Sequence, residues 1–468
     1  MIPKEARKKL TDCLGRANFR LLPEDRIAYA YDASKEMCVP SAVGFPVAVE
    51  QVSRVLVIAN EYKIPIVPRG AGTGLTGGAV PPPGGIVMVM AHFNRIIDID
   101  TENFVAIVEP GVITANFQAT VGQQGLYYPP DPASVAVSTL GGNIAENAGG
   151  MCALKYGVTK DYVMGLEVVL PSGEVIHTGS KCIKDVVGYD ITRLFVGSEG
   201  TLGVVTKAIL KLIPKPEEKQ TLLAIFSDVQ DAANAIPAIK LKGVIPATLE
   251  YLDEYCIDTV KGKLGFALPA ETRALLLIDV DGSQSEINKK LSHLQQVCNS
   301  HDALKVIIAA DEPDQRKLWL ARRSLHGALN ERHTGWEEED VSVPISRIPE
   351  LIIALEEIRA TYSVITASFG HAGDGNIHVS FAVMNDRIPT ENIQSARMAI
   401  LKTVIKLEGR IAAEHGIGLV KRDKIGWNID QGTLRFMESL KHLLDPHGIL
   451  NPGKIFPSAI RCVESGLS

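Results

Sequence analysis

Three glycine-rich segments in the first 206 residues constrain this chain more than any other feature. The densest, PRGAGTGLTGGAVPPPGG, places Gly70, Gly72, Gly74, Gly77 and Gly78 directly after the apolar run IPIV. Glycine has no Cβ and reaches positive φ cheaply, so such a loop can aim consecutive backbone N–H groups at one anion, as a pyrophosphate requires. The second is YYPPDPASVAVSTLGGNIAENAGG, and the third is GSEGTLGVVT from Gly197 to Thr206. A single glycine loop is often a tight connection, but three in one region are hard to explain as turns alone. The spacing contains neither GxxxxGK[ST] nor a GxGxxG that opens a helix ahead of a placed acidic residue, so P-loop and Rossmann readings fail.

Around these loops, residues from about 46 to 213 alternate short β-rich runs (IPIVPRG, GGIVMVM, FVAIVEPG, LEVVLPSGEVIHTG) with the amphipathic stretches VEQVSRVLVIANEYK and TANFQATVGQQG. This predicts an α+β first domain over residues 1–214 with a mixed sheet. The prolines and charges of IPKPEEKQ mark a boundary. Over residues 215–425, strand-like TLLAIF, RALLLIDV, ALKVIIAA, DVSVP and SVITASFG alternate with helical SQSEINKKLSHLQQVCNSH and ISRIPELIIALEEIRATY, which predicts a sheet with helices on one face. Residues 426–468 read as a helix, a turn and a terminal segment returning to the first domain. At 468 residues, two or three domains are expected.

A net charge of -6 gives no basic footprint for nucleic acid or an anionic membrane. The N-terminal residues carry charges with no apolar stretch behind them, and no later segment has an uninterrupted apolar run long enough to span a bilayer. Seven dispersed cysteines (Cys13, Cys38, Cys152, Cys182, Cys256, Cys298, Cys462) without a CxxC fit reduced thiols in a cytoplasmic protein, and leave this chain no evident iron–sulfur or structural zinc ligands.

A second chemical signal is SFGHAGDGNIHVSF followed by AAEHGIG, which offers His371, His378, Glu414 and His415. Two imidazoles and a carboxylate suit Zn, Mn or Fe with coordination positions left open. A lone histidine beside a strand is more often a hydrogen-bonded core residue, so the local pattern by itself leaves both readings standing. On DEPDQRKLWLARRSLHGALNER, read as one helix, Trp319, Arg322 and His326 fall at i, i+3 and i+7 on one face. Arg323 points about 100° further round. A planar guanidinium there suits a bidentate grip on a carboxylate, although the charged run would also serve as a solvated face.

These motifs, with KYGVTKDYVMGLEVVLPSGEV and ILNPGKIF, resemble the vanillyl-alcohol oxidase and p-cresol methylhydroxylase superfamily, and within it the glycolate oxidase D-subunit and D-lactate dehydrogenase branch. The resemblance runs over nearly the whole chain. It implies a two-subdomain FAD-binding domain of the p-cresol methylhydroxylase type plus a C-terminal α+β cap (substrate) domain with an antiparallel sheet. It implies that Arg69, Gly70, Ala71, Gly72, Thr73 and Gly74 wrap the FAD pyrophosphate, that Pro130, Asp131, Ser134, Gly141, Gly142, Asn143 and Gly149 line the flavin, and that Gly200, Thr201 and Val205 reach the adenosine side, with Asn451 of ILNPGKIF also at the cofactor. Thr73 stands where some relatives carry a flavin-tethering histidine, which implies non-covalent FAD.

The resemblance further makes His371, His378 and Glu414 ligands of a divalent metal, His415 the catalytic base and Arg322 the clamp on the substrate carboxylate. The implied activity is oxidation of a small D-2-hydroxy acid to the 2-oxo acid, with hydride passed to flavin N5 and electrons then to an iron–sulfur subunit, an electron-transferring flavoprotein or a quinone; a homodimer is left open. Where relatives often have a lysine two residues before the aspartate of DVSVP, this chain has Glu338. An acidic group there would repel a second substrate carboxylate, so lactate or glycolate is expected ahead of a diacid of the 2-hydroxyglutarate type. The rival classes are a flavin-free metal-dependent hydrolase and a non-catalytic flavin-binding subunit.

Overall fold

The structure, a computed structural model, describes residues 2–333, 335–383 and 389–458. Cys462 and the last ten residues of the 426–468 segment lie outside them. The chain forms two compact units: one comprises Met1–Gly149, Val158–Lys215 and Glu414–Ser468, the other Gly150–Gly157 and Pro216–Ala413. One junction between the units falls at Lys215–Pro216. The return to the first unit comes at Glu414, earlier than the expected 426, and the short excursion 150–157 belongs to the second unit.

In the first unit, helix Val49–Tyr62 buries Val52, Val55, Leu56, Ile58 and Ala59 at helical spacing and ends where Lys63 turns left-handed at φ 52. Strand Ile66–Arg69 follows and pairs in parallel with Ile86–Val89, which pairs in parallel with Ala42–Gly44. Phe19–Arg20 adds an antiparallel edge, so this sheet is mixed, as expected. The strand delivers Arg69 to its C-terminal end, where the first glycine loop begins. A five-stranded antiparallel sheet lies beside it in the same unit, in the order Ile96–Asp100, Val105–Val108, Val204–Lys211, Val163–Val169, Val175–Gly179. The tail does return here: Leu450 bridges Ile66 in parallel, and Ile66 N donates to Ile449 O at 2.8 Å.

The second unit is built on a seven-stranded antiparallel sheet in the order Ala303–Ile308, Glu218–Phe226, Ala274–Gly282, Thr248–Asp253, Thr366–Gly370, Asn376–Val383, Gly335–Ser342. Helices cover both faces, where one covered face was expected. Val229–Leu241, Gln284–Ser300, Ile348–Tyr362 and Thr390–Lys406 pack on one side, burying Ile236, Leu294, Leu351 and Ile400 among others. Glu254–Val260, Glu312–Arg323 and Leu325–Arg332 pack on the other, around Ile257, Trp319, Leu325 and Phe369. The reason lies in the strands themselves. Leu222–Phe226 and Ala274–Val280 are continuously buried rather than alternating, so an uncovered face would expose Leu223, Ile225, Leu275 and Leu277.

Among the described residues no helix is long and apolar enough to cross a membrane. Cys13, Cys152, Cys182, Cys256 and Cys298 form no disulfide, whereas Cys38 is disulfide-bonded, against the expectation of reduced thiols throughout.

Candidate active site

Within the first unit the three glycine segments converge on one cavity. Residues 69–74, Ser134, Gly141, Gly142, Asn143, Gly149, Gly200 and Val205 all line it, and so do Glu414 and His415. Local chemistry shapes each wall. Gly72 takes φ +73 over the guanidinium of Arg69, whose Nη1 donates to Tyr31 O at 2.6 Å. The helix Leu140–Glu146 starts at Thr139, whose Oγ1 accepts from Gly142 N at 3.2 Å, and Gly141 sits so tightly on Pro110 that a Cβ would come within 2.5 Å of the proline Cβ. Nothing lies within 4 Å of where a side chain on Gly74 would project, so the backbone is bare toward the cavity there. A long cradle of bare backbone suits an extended dinucleotide, in line with what the three glycine segments imply.

Four of the expected cofactor residues are not on this wall. Pro132 and Ala133 line the cavity in place of Pro130 and Asp131; Pro130 instead offers its carbonyl to Gln118 Nε2 at 3.0 Å. Thr201 is buried, with Oγ1 donating to Ser198 O at 2.7 Å. Asn451 is a brace between loops: its Nδ2 donates to Gly78 O at 3.0 Å and to Glu199 O at 2.7 Å. The side chains of Thr201 and Asn451 and the carbonyl of Pro130 close the chain's own hydrogen bonds, which residue type alone does not reveal.

Two acidic cavity residues escape a reading of the sequence. Glu199, inside GSEGTLG, accepts from Ile417 N at 2.8 Å and Gly418 N at 2.7 Å, so it seats the segment that follows His415. Glu146, inside NIAENAGG, has Oε2 buried with no hydrogen-bond partner among the described residues. Burial, then the nearby Glu199 and Asp32 carboxylates, pushes Glu146 well above the usual carboxylate range. The acidic character of either loop was the available signal. His415 is anchored through its carbonyl, which accepts from Thr76 Oγ1 at 3.0 Å, and its Nε2 lies 3.7 Å from Glu414 Oε1.

The second unit holds the two histidines of the HAGDGNIH motif. Strand Thr366–Gly370 ends at His371, a turn through Gly375 (φ +92) reverses the chain, and Asn376–Val383 carries His378 back. Both imidazoles are buried, and their rings stand perpendicular with centroids 5.4 Å apart. Each has a carboxylate beside its Nδ1: Glu250 Oε1 at 2.5 Å from His371, and Asp340 Oδ1 at 3.5 Å from His378. Although burial opposes ionisation, His371 and Arg322 draw the Glu250 carboxyl down to about 2. Glu250 is therefore the acceptor and His371 Nδ1–H the donor, so Nε2 is the ring nitrogen that does not face Glu250. Asp340 also accepts from Asn376 Nδ2 at 2.8 Å and from Ala413 N at 2.9 Å, so the residue before Glu414 is tied to the carboxylate beside His378. Paired buried imidazoles with carboxylates behind them are a donor set that fits a divalent transition metal.

The expected helix carrying Trp319, Arg322 and His326 breaks at Ser324 into Glu312–Arg323 and Leu325–Arg332. Trp319 Nε1 donates to Asp279 Oδ1 at 2.8 Å, and His326 Nδ1 lies 3.6 Å from Glu338. Arg322 stacks over Phe369 at 5.0 Å and commits Nε (2.8 Å) and Nη2 (2.6 Å) to Glu250 Oε2. The side edge of the guanidinium is thus occupied, and its end-on edge, formed by Nη1 and the second N–H of Nη2, is the one left for a carboxylate. Glu338 shares a sheet face with His378: Asp340 pairs with His378 and Glu338 with Ser380, whose Oγ donates to Glu338 at 2.8 Å.

Residues 40–179 match the FAD binding domain family, and residues 215–455 match the family described as FAD linked oxidases, C-terminal domain. The chain belongs to the FAD-linked oxidases. As such it is an FAD-dependent oxidoreductase. This oxidase-family chain is 43% identical to the glycolate oxidase subunit GlcD of Bacillus subtilis (strain 168), over 98% of both chains. It is 36% identical to a D-lactate dehydrogenase of Anaerostipes hadrus, over 87% of both. Its fold is similar to that of p-cresol methylhydroxylase, with a TM-score of 0.77 at 19% identity over 98% of both chains. Family membership sets aside the flavin-free hydrolase, and the relatives support oxidation of a small hydroxy acid.

Proposed function

We propose that this FAD-linked oxidase dehydrogenates a small D-2-hydroxy acid of the lactate or glycolate type to its 2-oxo acid, with non-covalently bound FAD and a divalent metal. The observation that carries the reading is the placement of His415 and Glu414 on the wall of the same cavity that the three glycine segments form. A base on the cofactor wall suits a reaction in which a substrate gives up a proton and a hydride.

FAD supplies the two-electron acceptor, and a metal, which His371, His378 and Glu414 would hold, favours the deprotonated form of the substrate hydroxyl. His415 takes the hydroxyl proton. Arg322 meets the substrate carboxylate with its end-on Nη1 side, since its Nε–Nη2 edge is on Glu250. Glu338, with a carboxylate oxygen within 4.8 Å of a His378 ring nitrogen, disfavours a second negative charge on the substrate and so favours monoacids over diacids. Thr73 on the cavity wall offers no imidazole to tether the flavin, which supports dissociable FAD. Electrons leave FAD for an acceptor protein, such as an iron–sulfur subunit or an electron-transferring flavoprotein, or for a quinone; the relatives named as subunits support a companion chain.

The test is anaerobic mixing of the yellow protein with D- and L-lactate, glycolate and D-2-hydroxyglutarate. Bleaching by a D-monoacid ahead of its L-enantiomer and of the diacid is expected. A flavin that none of them bleaches refutes the dehydrogenase reading and leaves the non-catalytic flavin subunit.

A further inference from the structure

Glu250 sits in the middle of strand Thr248–Asp253 with no exposure to solvent, in a sheet whose two faces pack against clusters rich in leucine and isoleucine. A carboxylate in such surroundings costs several kcal/mol unless it is fully hydrogen-bonded. Here three charge-assisted contacts satisfy it: Oε1 with His371 Nδ1 at 2.5 Å, and Oε2 with Arg322 Nε at 2.8 Å and Nη2 at 2.6 Å. Its neighbours Tyr251 and Leu252 are buried in packing clusters on the two sides of the sheet, so packing alone does not call for an acid at this position. The two groups it joins arrive from different elements. His371 follows the strand Thr366–Gly370, and Arg322 comes from the helix Glu312–Arg323.

We propose that Glu250 is a positioning residue that holds His371 with Nδ1 protonated and Nε2 presented to a divalent cation, and that holds Arg322 by its Nε–Nη2 edge so that Nη1 meets the substrate carboxylate. The two oxygens of a carboxylate are fixed in one plane, so one side chain sets the ligand and the clamp together. A carboxylate behind a metal-bound imidazole fixes the tautomer and raises the basicity of the ligand nitrogen, and loss of such a partner typically weakens metal binding about 10- to 100-fold. The inference rests on the reading of His371 as a metal ligand.

The experiment uses the full-length, FAD-loaded chain stripped of metal with a chelator and titrated with Co²⁺ alone, read by the visible Co²⁺ bands beside the flavin spectrum. Glu250→Ala is expected to bind Co²⁺ about 10- to 100-fold more weakly than the unaltered chain. Glu250→Gln is expected to recover most of that affinity, because an amide oxygen still accepts from Nδ1–H, while KM for the hydroxy acid stays raised because a neutral amide grips Arg322 poorly. A merely structural glutamate would not split the two readouts. A folded Glu250→Ala chain with unaltered Co²⁺ affinity overturns the proposal. Should that variant not fold, ¹⁵N-histidine spectra of the unaltered, metal-free chain decide: an Nδ1–H tautomer at His371 supports it, and an Nε2–H tautomer overturns it. An unaltered chain that binds no Co²⁺ is a different failure, which removes the metal reading of His371 and His378 itself.

Discussion

A side chain on Gly149 would meet Glu414, because the position of its Cβ lies 3.1 Å from Glu414 Oε2. The contact is tighter than ordinary van der Waals packing, so Gly149→Ala must push the Glu414 carboxylate aside by a few tenths of an ångström. If Glu414 is a ligand, metal affinity should fall on the order of tenfold, as for other disturbed ligand geometries. Co²⁺ titration checks this, and unchanged affinity would count against Glu414.

Removing the hydroxyl that caps Leu140–Glu146 tests the cradle itself. Thr139→Ala leaves Gly142 N without its acceptor and is expected to cost about 1 kcal/mol of stability. Because Gly141, Gly142 and Asn143 line the cavity, FAD affinity should drop with it, measured by flavin fluorescence on dilution. Stability lost with FAD affinity intact would detach this helix from cofactor binding.

His415→Ala should keep its yellow colour and lose flavin bleaching by D-2-hydroxy acid roughly 100- to 10,000-fold, the range for a missing general base. The measurement is stopped-flow reduction under anaerobic conditions. A rate within a few-fold of the unaltered chain would move the base elsewhere.

Glu146 predicts a pH effect with a definite sign. Its carboxyl is raised in the fold by burial and by the Glu199 and Asp32 carboxylates, so the stability tied to its protonated form is complete below the ordinary value of 4.5 and is lost as pH rises through the elevated value. Glu146→Gln keeps a neutral group at every pH. Its melting temperature should gain on that of the unaltered chain as pH is raised from about 5 to about 9. Parallel curves would show that Glu146 does not titrate in this window.

Substrate charge tests Glu338. Glu338→Lys should shift the ratio of D-2-hydroxyglutarate to D-lactate kcat/KM toward the diacid by on the order of tenfold or more, because a repelling charge becomes an attracting one. An unchanged ratio would place Glu338 outside the reach of the substrate.

Much of the candidate site is legible in the sequence alone. Thirteen of the seventeen expected cofactor residues line one cavity, and the two histidines of one motif share one buried cluster. Glycine and histidine advertise their chemistry locally, through missing side chains or ligand atoms, and so need no partner to be recognised. The misses are of another kind. Asn451 and Thr201 sit in motifs beside the cofactor loops, yet their side chains serve internal hydrogen bonds.

What the amino-acid order determined by itself is the family, the three-loop cradle and the identity of the groups that can carry chemistry, because these depend on residue type and short spacing. Only the tertiary structure decided how those groups are held. Glu250 reaches His371 across 121 positions and Arg322 across 72, and no local pattern marks a glutamate in a strand as the partner of either. The break at Ser324 and the helices on the second face of the sheet were likewise set by packing, since burying strands that are apolar on both sides outweighs the preference of any single segment.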